Sequence, residues 1–252
     1  MRKILAIIIL SLAVWGCGSS VDTSNYTPSQ RQAYAMKLYN DENYVDAIQE
    51  FQAIILQYPG NAVVDSAQYY LAESRYQRGE YILGAYEFSI LIKTMPASKL
   101  IPDAQFMLAD CYYELSPDYR LDQQYTKKAI EEFQAFIDFF PTNEKVKEAE
   151  QKINELNDKL AHKEYNTANL YNIMGDDESA IIYYTKVVDD YHDTQYAPNA
   201  LYDEINLLVS LNMNNKALEE IGKFLERYPD NKRVDELQKL KTSVEVKLSS
   251  SK

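Results

Sequence analysis

The sequence predicts an all-α protein, an α-solenoid of five helix pairs stacked in a row. A segment that begins at Ala67, AQYYLAESRY, recurs as AQFMLADCYY from Ala104, and self-similarity of this kind is typical of helical repeat arrays. The 252 residues are 46% hydrophobic, with 7 Gly and 8 Pro, which is enough apolar surface for a continuous core. The net charge of −12 excludes nucleic acid as the expected partner, because phosphate binding needs a basic face.

The chain begins with a predicted signal peptide at residues 1–16. Arg2 and Lys3 precede an apolar run at 4–14 that is short for a membrane span. The sequence Val-Trp-Gly-Cys at 14–17 resembles the lipobox of bacterial lipoproteins. That resemblance implies acyl chains, palmitate among them, on Cys17, and several chains anchor stably. The alternative is an ordinary cleaved signal with a chance cysteine. Residues 17–27 are small and polar, which predicts a flexible tether.

The repeats are aligned by a small residue on each second helix, a large apolar residue four positions later and a terminal residue eight positions beyond that. Proline fills the terminal position in four repeats, because it cannot continue a helix. The first helices carry small residues of their own at Ala35, Ala72, Ala109 and Ala168, and Ile205 breaks this rule. The second-helix positions are Ala47, Phe51 and Pro59; Gly84, Phe88 and Pro96; Ala129, Phe133 and Pro141; Ala180, Tyr184 and His192; and Ala217, Ile221 and Pro229.

Two irregular spacings divide the array into repeats one to three at 28–141 and repeats four and five at 142–248, with a tail at 249–252. Extra residues between Tyr113 and Ala129 include Ser-Pro-Asp-Tyr-Arg, which predicts a lengthened loop. Extra residues before Ala168 contain no helix breaker and follow a helical apolar period. They predict one elongated helix from about Asn143 to Met174, ended by Gly175, that links repeats three and four.

The small-small-aromatic-proline pattern resembles the tetratricopeptide repeat (TPR). The resemblance implies that one face of each first helix lines a concave groove, which here would be aromatic with two acids. Such a groove suits an extended peptide with aromatic side chains, whereas the alternative is that the same residues pack between repeats. The candidate groove residues are Gln32, Met36, Tyr39, Tyr69, Glu73, Tyr76, Phe106, Asp110 and Tyr113.

The chain carries no pattern that indicates an enzyme, a cofactor or a metal. His162 and His192 lie far apart without Cys or carboxylate partners at ligand spacing. No phosphate loop or nucleophile elbow is present. Cys111, between apolar neighbours, is predicted to be a small core residue.

The fourth and fifth repeats make the resemblance more specific. Leu160-Ala161, Glu164-Tyr165, Ala168, Tyr171 and Gly175, followed by Tyr191, Asp193-Thr194 and Ala200-Leu201, resemble the signature of the BamD family of outer-membrane assembly lipoproteins. His192 stands where that family has proline. The resemblance covers essentially the whole chain after the signal peptide.

The BamD resemblance implies a scaffold and substrate receptor of the β-barrel assembly (BAM) machinery, anchored on the periplasmic face of the outer membrane. Its implied partners are the POTRA domains of a BamA-like barrel protein, other BAM lipoproteins and unfolded outer-membrane proteins. Repeats four and five would bind the POTRA domains, and the N-terminal repeats the barrel precursors. Tyr184 stands where family members have a basic residue, so Tyr184 and the nearby Lys186 are the candidates to face BamA.

Two other functions compete with this hypothesis. A periplasmic TPR adaptor of cell-envelope maintenance or division, similar to CpoB, would carry an N-terminal coiled coil before the repeats, which this sequence does not show. A glycan-binding lipoprotein of the SusD type would need a much longer chain with a large part outside the repeats.

Overall fold

The computed structural model describes residues 22–250. Within that range the secondary structure is entirely helical. The predicted signal peptide, Cys17 and residues 18–21 of the predicted tether lie outside the described residues. The helices are α1 Pro28–Asn40, α2 Tyr44–Gln57, α3 Val64–Gln77, α4 Tyr81–Thr94, α5 Ile101–Glu114, α6 Gln124–Phe139, α7 Val146–Met174, α8 Asp177–Asp190, α9 Ala197–Ser210, α10 Asn214–Arg227 and α11 Val234–Ser250.

The first ten helices form five pairs, and each helix packs on the next along the chain. The five-pair all-α solenoid predicted from the sequence is therefore confirmed. The small residues of both helices are fully buried, as are the large apolar residues one turn later. Close approach of the two helices at the small residues leaves room for the large side chain to fill the space toward the next pair. The buried large residues are Phe51, Phe88, Phe133, Tyr184 and Ile221.

Gly84 shows how close that approach is. A Cβ at this position would lie 3.3 Å from the Sγ of Cys111 and 3.4 Å from the carbonyl oxygen of Ala72. Cys111 is 0% exposed, and burial raises the pKa of its thiol. Cys111 is thus a small core residue, as predicted.

The N-terminal segment lies against the first repeat before α1 begins. Thr27 and Gln30 form a reciprocal capping box at the start of α1, which satisfies two backbone donors of its first turn. The ring of Tyr26 contacts that of Tyr34, and the Tyr58 hydroxyl donates to the Tyr26 carbonyl at 2.9 Å. Tyr26 therefore fixes the end of the predicted tether to the first repeat, while Asp22, Ser24 and Asn25 remain exposed.

The second helices end in the same way with or without proline. The residue after each helix has φ between −126° and −132°, including Tyr191, which precedes His192 instead of a proline. The residue three positions further donates its backbone N–H to that residue's carbonyl in every repeat. The turn itself therefore ends these helices, and proline only fits it.

Both predicted irregularities are confirmed. Residues 115–123 form the lengthened loop between α5 and α6, and α7 runs for 29 residues until Gly175 ends it with φ of 78°. The other turns inside a pair are tight and also hold one residue in the left-handed region: Glu42, Gly79 and Asn212.

A polar contact joins the two helices of a pair one turn before the small residue of the first helix. In the first three repeats the first helix supplies Arg or Gln and the second helix supplies Glu. In repeat four the first helix supplies the carboxylate instead, since Glu164 on α7 pairs at 2.7 Å with Lys186 on α8, which lies three residues further along its helix than the partners in the other repeats. The first three contacts are Arg31 with Glu50, Gln68 with Glu87 and Gln105 with Glu132.

The last helix, α11, belongs to no pair and was not separately predicted. It buries Leu237 and Val244 against the last pair and extends through Ser250, into the predicted tail. A terminal helix with one polar face closes the end of a solenoid. None of the described helices has both the length and the apolar character that crossing a membrane requires.

Candidate functional site

The predicted groove residues lie on the first helices α1, α3 and α5, and hydroxyl-carboxylate hydrogen bonds link several of them across neighbouring repeats. The Tyr76 hydroxyl on α3 donates to Asp110 Oδ2 on α5 at 2.7 Å. One repeat later, the Tyr113 hydroxyl on α5 donates to Glu155 on α7. This hydrogen bond, together with burial, raises the pKa of Tyr113 to about 12. These tyrosines therefore hold adjacent repeats together with their hydroxyl groups.

Asp110 is already neutralised within the chain. Asp110 as a whole residue is 6% exposed, and its carboxylate forms an ion pair with the ammonium group of Lys152 on α7. That ammonium also lies 4.5 Å from the centroid of the Tyr113 ring, at cation–π distance. Asp110 is not available to a ligand in this arrangement.

Phe106 is also a packing residue. It is 4% exposed, and its ring meets those of Phe133 and Phe136 edge to face at 5.5 and 5.4 Å. Phe106 and Asp110 therefore pack between repeats, which is the alternative to lining a groove.

The half-exposed part of the predicted groove lies on α1 and α3. Tyr39 packs its ring against Tyr70 at 5.2 Å, and Tyr69 packs against Phe88 at 5.5 Å, so each presents only part of its ring to solvent. Met36, one turn before Tyr39, is half-buried as well. This narrower strip is apolar with aromatic edges.

Two hydrogen-bond acceptors on the same helices have no partner among the described residues. Glu73 accepts from Gln77 through Oε1, but its Oε2 is buried without a hydrogen bond. Burial raises the pKa of Glu73. Gln32 donates to Ser66 at 3.0 Å, while its Oε1 is likewise buried without a partner. Buried polar atoms are normally satisfied, so these two acceptors are exceptions within the described residues.

Four lysines, a feature that the sequence analysis missed, fix the long helix to repeat three. Lys145 pairs with Asp103 at 3.0 Å, and Lys152 pairs with Asp110. Lys159 donates to the Ser116 hydroxyl and Lys163 to the Leu121 carbonyl, each at 2.7 Å. The first three lysines are spaced by sevens, as are Asp103 and Asp110, and this shared period is the signal that could have revealed them.

His162 joins the two blocks of repeats by ring stacking. Its ring lies between Tyr119 from the lengthened loop and Tyr196 at the start of α9, with centroid distances of 3.8 and 4.8 Å. No cluster of His, Cys, Asp and Glu suited to a metal ion occurs within residues 22–250. His162 therefore has a packing role in this structure.

The prediction that Tyr184 faces a partner is wrong. Tyr184 is 0% exposed, and its hydroxyl donates to Asn169 Oδ1 at 2.6 Å inside repeat four. It occupies the aromatic core position of its repeat, which requires burial. Lys186 is exposed over 42% of its side chain while it pairs with Glu164, so it still reaches the surface.

The amino-acid sequence matches known proteins over most of its length. Residues 25–220 match the family model YfiO, described as an outer membrane lipoprotein. The outer membrane protein assembly factor BamD of Rickettsia prowazekii (strain Madrid E) is 27% identical over 235 residues, which cover 92% of this chain and 94% of that protein. BamD of Caulobacter vibrioides is 27% identical over 106 residues, 42% of this chain and 35% of the relative.

Among solved structures, a TPR repeats protein from Bacteroides fragilis matches 87% of this chain and 98% of its own, with 16% identity and a TM-score of 0.48. The helix pairing described above, with its buried small and aromatic positions, identifies the repeat fold in this chain.

Proposed function

Because the chain belongs to the YfiO family of outer membrane lipoproteins, we propose that it is a lipid-anchored periplasmic scaffold and substrate receptor of the β-barrel assembly machinery. Two relatives are named outer membrane protein assembly factors, and one of them matches along nearly its whole length. That match is the observation that carries the proposal. Neither the family match nor these relatives favour the division-adaptor alternative.

The general test is depletion of the protein in its own cell. Steady-state levels of β-barrel proteins should fall while periplasmic proteins stay constant, and a BamA-like barrel protein should co-purify with the chain from solubilised envelope. Unchanged barrel levels together with absence of a BamA-like partner would refute the proposal.

The anchor is proposed to be acyl chains on Cys17. Replacement Cys17→Ala should move the protein from the outer-membrane fraction to the soluble periplasmic fraction, because several acyl chains are what make anchoring stable. Mass spectrometry of the wild-type N-terminal peptide provides the control. Retention of the Cys17→Ala chain in the outer membrane would show that another contact anchors it.

The substrate site is proposed to be the strip on α1 and α3 that contains Met36, Tyr39, Tyr69 and Glu73. Its aromatic edges suit the apolar and aromatic side chains of an extended segment. Phe106 and Asp110 support this strip from the next repeat rather than contact the substrate.

The receptor role can be separated from packing with paired substitutions. Tyr39→Ser should weaken binding of a synthetic β-barrel C-terminal peptide with a terminal aromatic residue by about tenfold. Tyr125→Ser, on the opposite side of the array, is the matched control. Tyr76→Phe removes only the hydroxyl group that donates a hydrogen bond to Asp110. It should lower the free energy of unfolding by about 1 kcal/mol without changing peptide affinity. Equal peptide affinity of Tyr39→Ser and wild type would exclude this strip.

The scaffold role is proposed for repeats four and five, where Lys186 reaches the surface. Lys186→Gln should reduce co-purification of the BamA-like partner. Lys216→Gln, which is exposed on the second helix of the next repeat, is the matched control and should leave co-purification unchanged. An equal effect of both substitutions would point to net charge instead of a specific contact.

A further inference from the structure

The outer side of α4 differs from that of every other second helix. Ile82, Leu83 and Tyr86 are 57%, 45% and 61% exposed. At the three equivalent positions the other repeats carry mixed or polar residues: Val45, Asp46 and Gln49; Lys127, Lys128 and Glu131; Glu178, Ser179 and Ile182; and Asn215, Lys216 and Glu219. The repeats thus act as internal references, and only α4 has three apolar residues there. A helix that is apolar on all sides normally has a partner on all sides.

Ile82 and Tyr86 of α4 border a groove on the convex face of the array, between α4 and α6. The groove has a volume of about 440 Å³, and its apolar lining comprises Ile82, Tyr86, Ile92, Leu108 and Tyr112. The fold itself explains its position, because second helices of neighbouring repeats form the convex layer while first helices form the concave one.

The charges at the groove are mainly positive, in a chain whose net charge is −12. Lys93 and Lys128 line it, and the ammonium group of Lys128 lies 4.2 Å from the centroid of the Tyr112 ring. The carboxylate that also lines it, Glu132, accepts a hydrogen bond from Gln105 at 2.9 Å. The groove therefore offers two ammonium groups beside an apolar floor, which is complementary to an apolar stripe flanked by carboxylates.

A helix fits this groove better than an extended strand. Within residues 22–250 there is no sheet edge to pair with the main chain of a strand, whereas a helix satisfies its own backbone hydrogen bonds. Two neighbouring helices also present ridges and grooves into which a third helix packs. The 14 residues of α4 correspond to about four helical turns.

We propose that the convex groove between α4 and α6 binds an amphipathic helix of another protein, with apolar side chains on one stripe and Asp or Glu beside it. This surface lies on the opposite side of the array from the proposed substrate strip. It does not depend on the identity of the substrate.

The test uses the full chain in detergent and two synthetic helical peptides with the same leucine stripe, one flanked by Glu and the other by Lys. Fluorescence anisotropy should show that the Glu-flanked peptide binds and the Lys-flanked peptide binds at least about tenfold more weakly. Tyr86→Ser should weaken binding of the Glu-flanked peptide by about tenfold. Ile182→Ser, a change at the equivalent and similarly exposed position of repeat four, should not.

Charge reversal provides the second arm. The double variant Lys93→Glu and Lys128→Glu should invert the preference between the two peptides, while Lys127→Glu, which lies outside the groove lining, should not. Equal binding of both peptides, or binding of neither, would overturn the proposal. Two results would assign the surface to another occupant and also overturn it: self-association of the chain that Tyr86→Ser abolishes, or flotation of the Cys17→Ala chain with phosphatidylglycerol vesicles that Tyr86→Ser abolishes.

Discussion

At the scale of single residues, each tight turn inside a pair requires one residue in the left-handed region of backbone conformation, and not every turn has a residue type that favours it. Gly79, Gly175 and Asn212 occupy left-handed positions, and these residue types adopt such a conformation at little cost. Glu42 occupies the same kind of position with φ of 59°. A side chain with a Cβ and no local hydrogen bond to compensate is strained there.

Glu42→Gly should therefore raise the free energy of unfolding by roughly 1 kcal/mol. Gly79→Ala should lower it by a similar amount, since a Cβ on Gly79 would touch nothing within 4 Å and the cost comes from the backbone alone. Urea denaturation followed by circular dichroism measures both changes. Glu42→Ala keeps the Cβ and serves as the control. A gain with alanine as large as the gain with glycine would show that the glutamate side chain, and not the backbone, is unfavourable.

Glu204 is a second residue whose environment has a measurable cost. It is 4% exposed, accepts from the Thr185 hydroxyl at 2.8 Å through Oε1, and has no partner for Oε2 among the described residues. Burial raises the pKa of Glu204 to about 7, above its ordinary value of 4.5. The folded protein therefore favours the neutral carboxyl group.

The sign of the resulting pH dependence follows from linkage. The neutral Glu204 carboxyl group stabilises the folded protein fully below the pKa of Glu204 in the unfolded chain, and this stabilisation is lost as pH rises through its pKa in the folded protein. The wild type should therefore lose on the order of 2–3 kcal/mol of unfolding free energy between about pH 5 and pH 8. Glu204→Gln should remove this loss and be more stable than wild type at the higher pH. Urea denaturation across this range tests it, with exposed Glu226→Gln as the control. The same pH dependence in Glu204→Gln as in wild type would assign it to another group.

Residue types at fixed spacing predicted the core well but the site only in part. Ala47, Phe51 and their equivalents are buried as predicted, because pairing between adjacent helices depends on local spacing. Asp110 was predicted to line a groove, and the lysine that neutralises it follows 42 residues later, beyond any local pattern. The prediction that Tyr184 faces a partner was wrong for the opposite reason. The local repeat pattern already required its burial, whereas the family resemblance suggested a surface role.

At the scale of secondary-structure elements, α7 does more than link two blocks. Its first half lies along α5 and the lengthened loop through four lysines, and its second half forms the first helix of repeat four. The apolar seam predicted its length and end, whereas the lysine contacts depend on tertiary structure.

Lys152 is more buried than Lys145, with 18% of its side chain exposed against 31%, and the side chain of its partner Asp110 is 8% exposed. Lys152→Met keeps the aliphatic stem near the aromatic rings but leaves Asp110 charged, buried and supported only by the Tyr76 hydroxyl. The free energy of unfolding should fall by about 3 kcal/mol. The double variant Lys152→Met and Asp110→Asn should recover part of the lost free energy of unfolding, because neither position then carries a charge.

Chemical denaturation of the single and double variants provides the measurement, and Lys147→Met on the exposed side of α7 provides the control. If Asp110→Asn lowers the free energy of unfolding by the same amount in the wild type and in Lys152→Met, the two effects are independent. Lys152 and Asp110 would then not act as a pair.

At the scale of the whole molecule, the core is divided into four clusters along the array, each built from neighbouring helices. Among the described residues, helix contacts run mainly between neighbours along the chain, so stability is a sum of local and nearest-neighbour contributions. Repeat periodicity predicted this arrangement. It did not predict α11, whose sequence lacks the small-residue pair.

Equivalent cavities should therefore have different consequences at different places in the array. Phe224→Ala near the C-terminus and Phe88→Ala in the second repeat both remove a side chain that is 0% exposed, at a cost of about 3–5 kcal/mol. Hydrogen exchange read by mass spectrometry should show faster exchange in α9–α11 for Phe224→Ala, with α1–α6 unchanged. Phe88→Ala should instead affect α3–α6 most. Uniform acceleration over all helices in both variants would show that the array unfolds as one cooperative unit.

The reversed contact of repeat four bears on how the chain avoids mispairing while it folds. Similar repeats joined in tandem can exchange partners, and a first helix can dock on the second helix of the wrong repeat. If α7 took the second helix of repeat three as its mate in the usual register, Glu164 would face Glu132, and two carboxylates would replace a salt bridge. The opposite exchange would set Gln105 beside Tyr183 in the same register, and Lys186 would lose its partner Glu164. Because the carboxylate lies on the first helix in repeat four and on the second helix in repeats one to three, α7 and α8 pair specifically with each other at the junction of the two blocks.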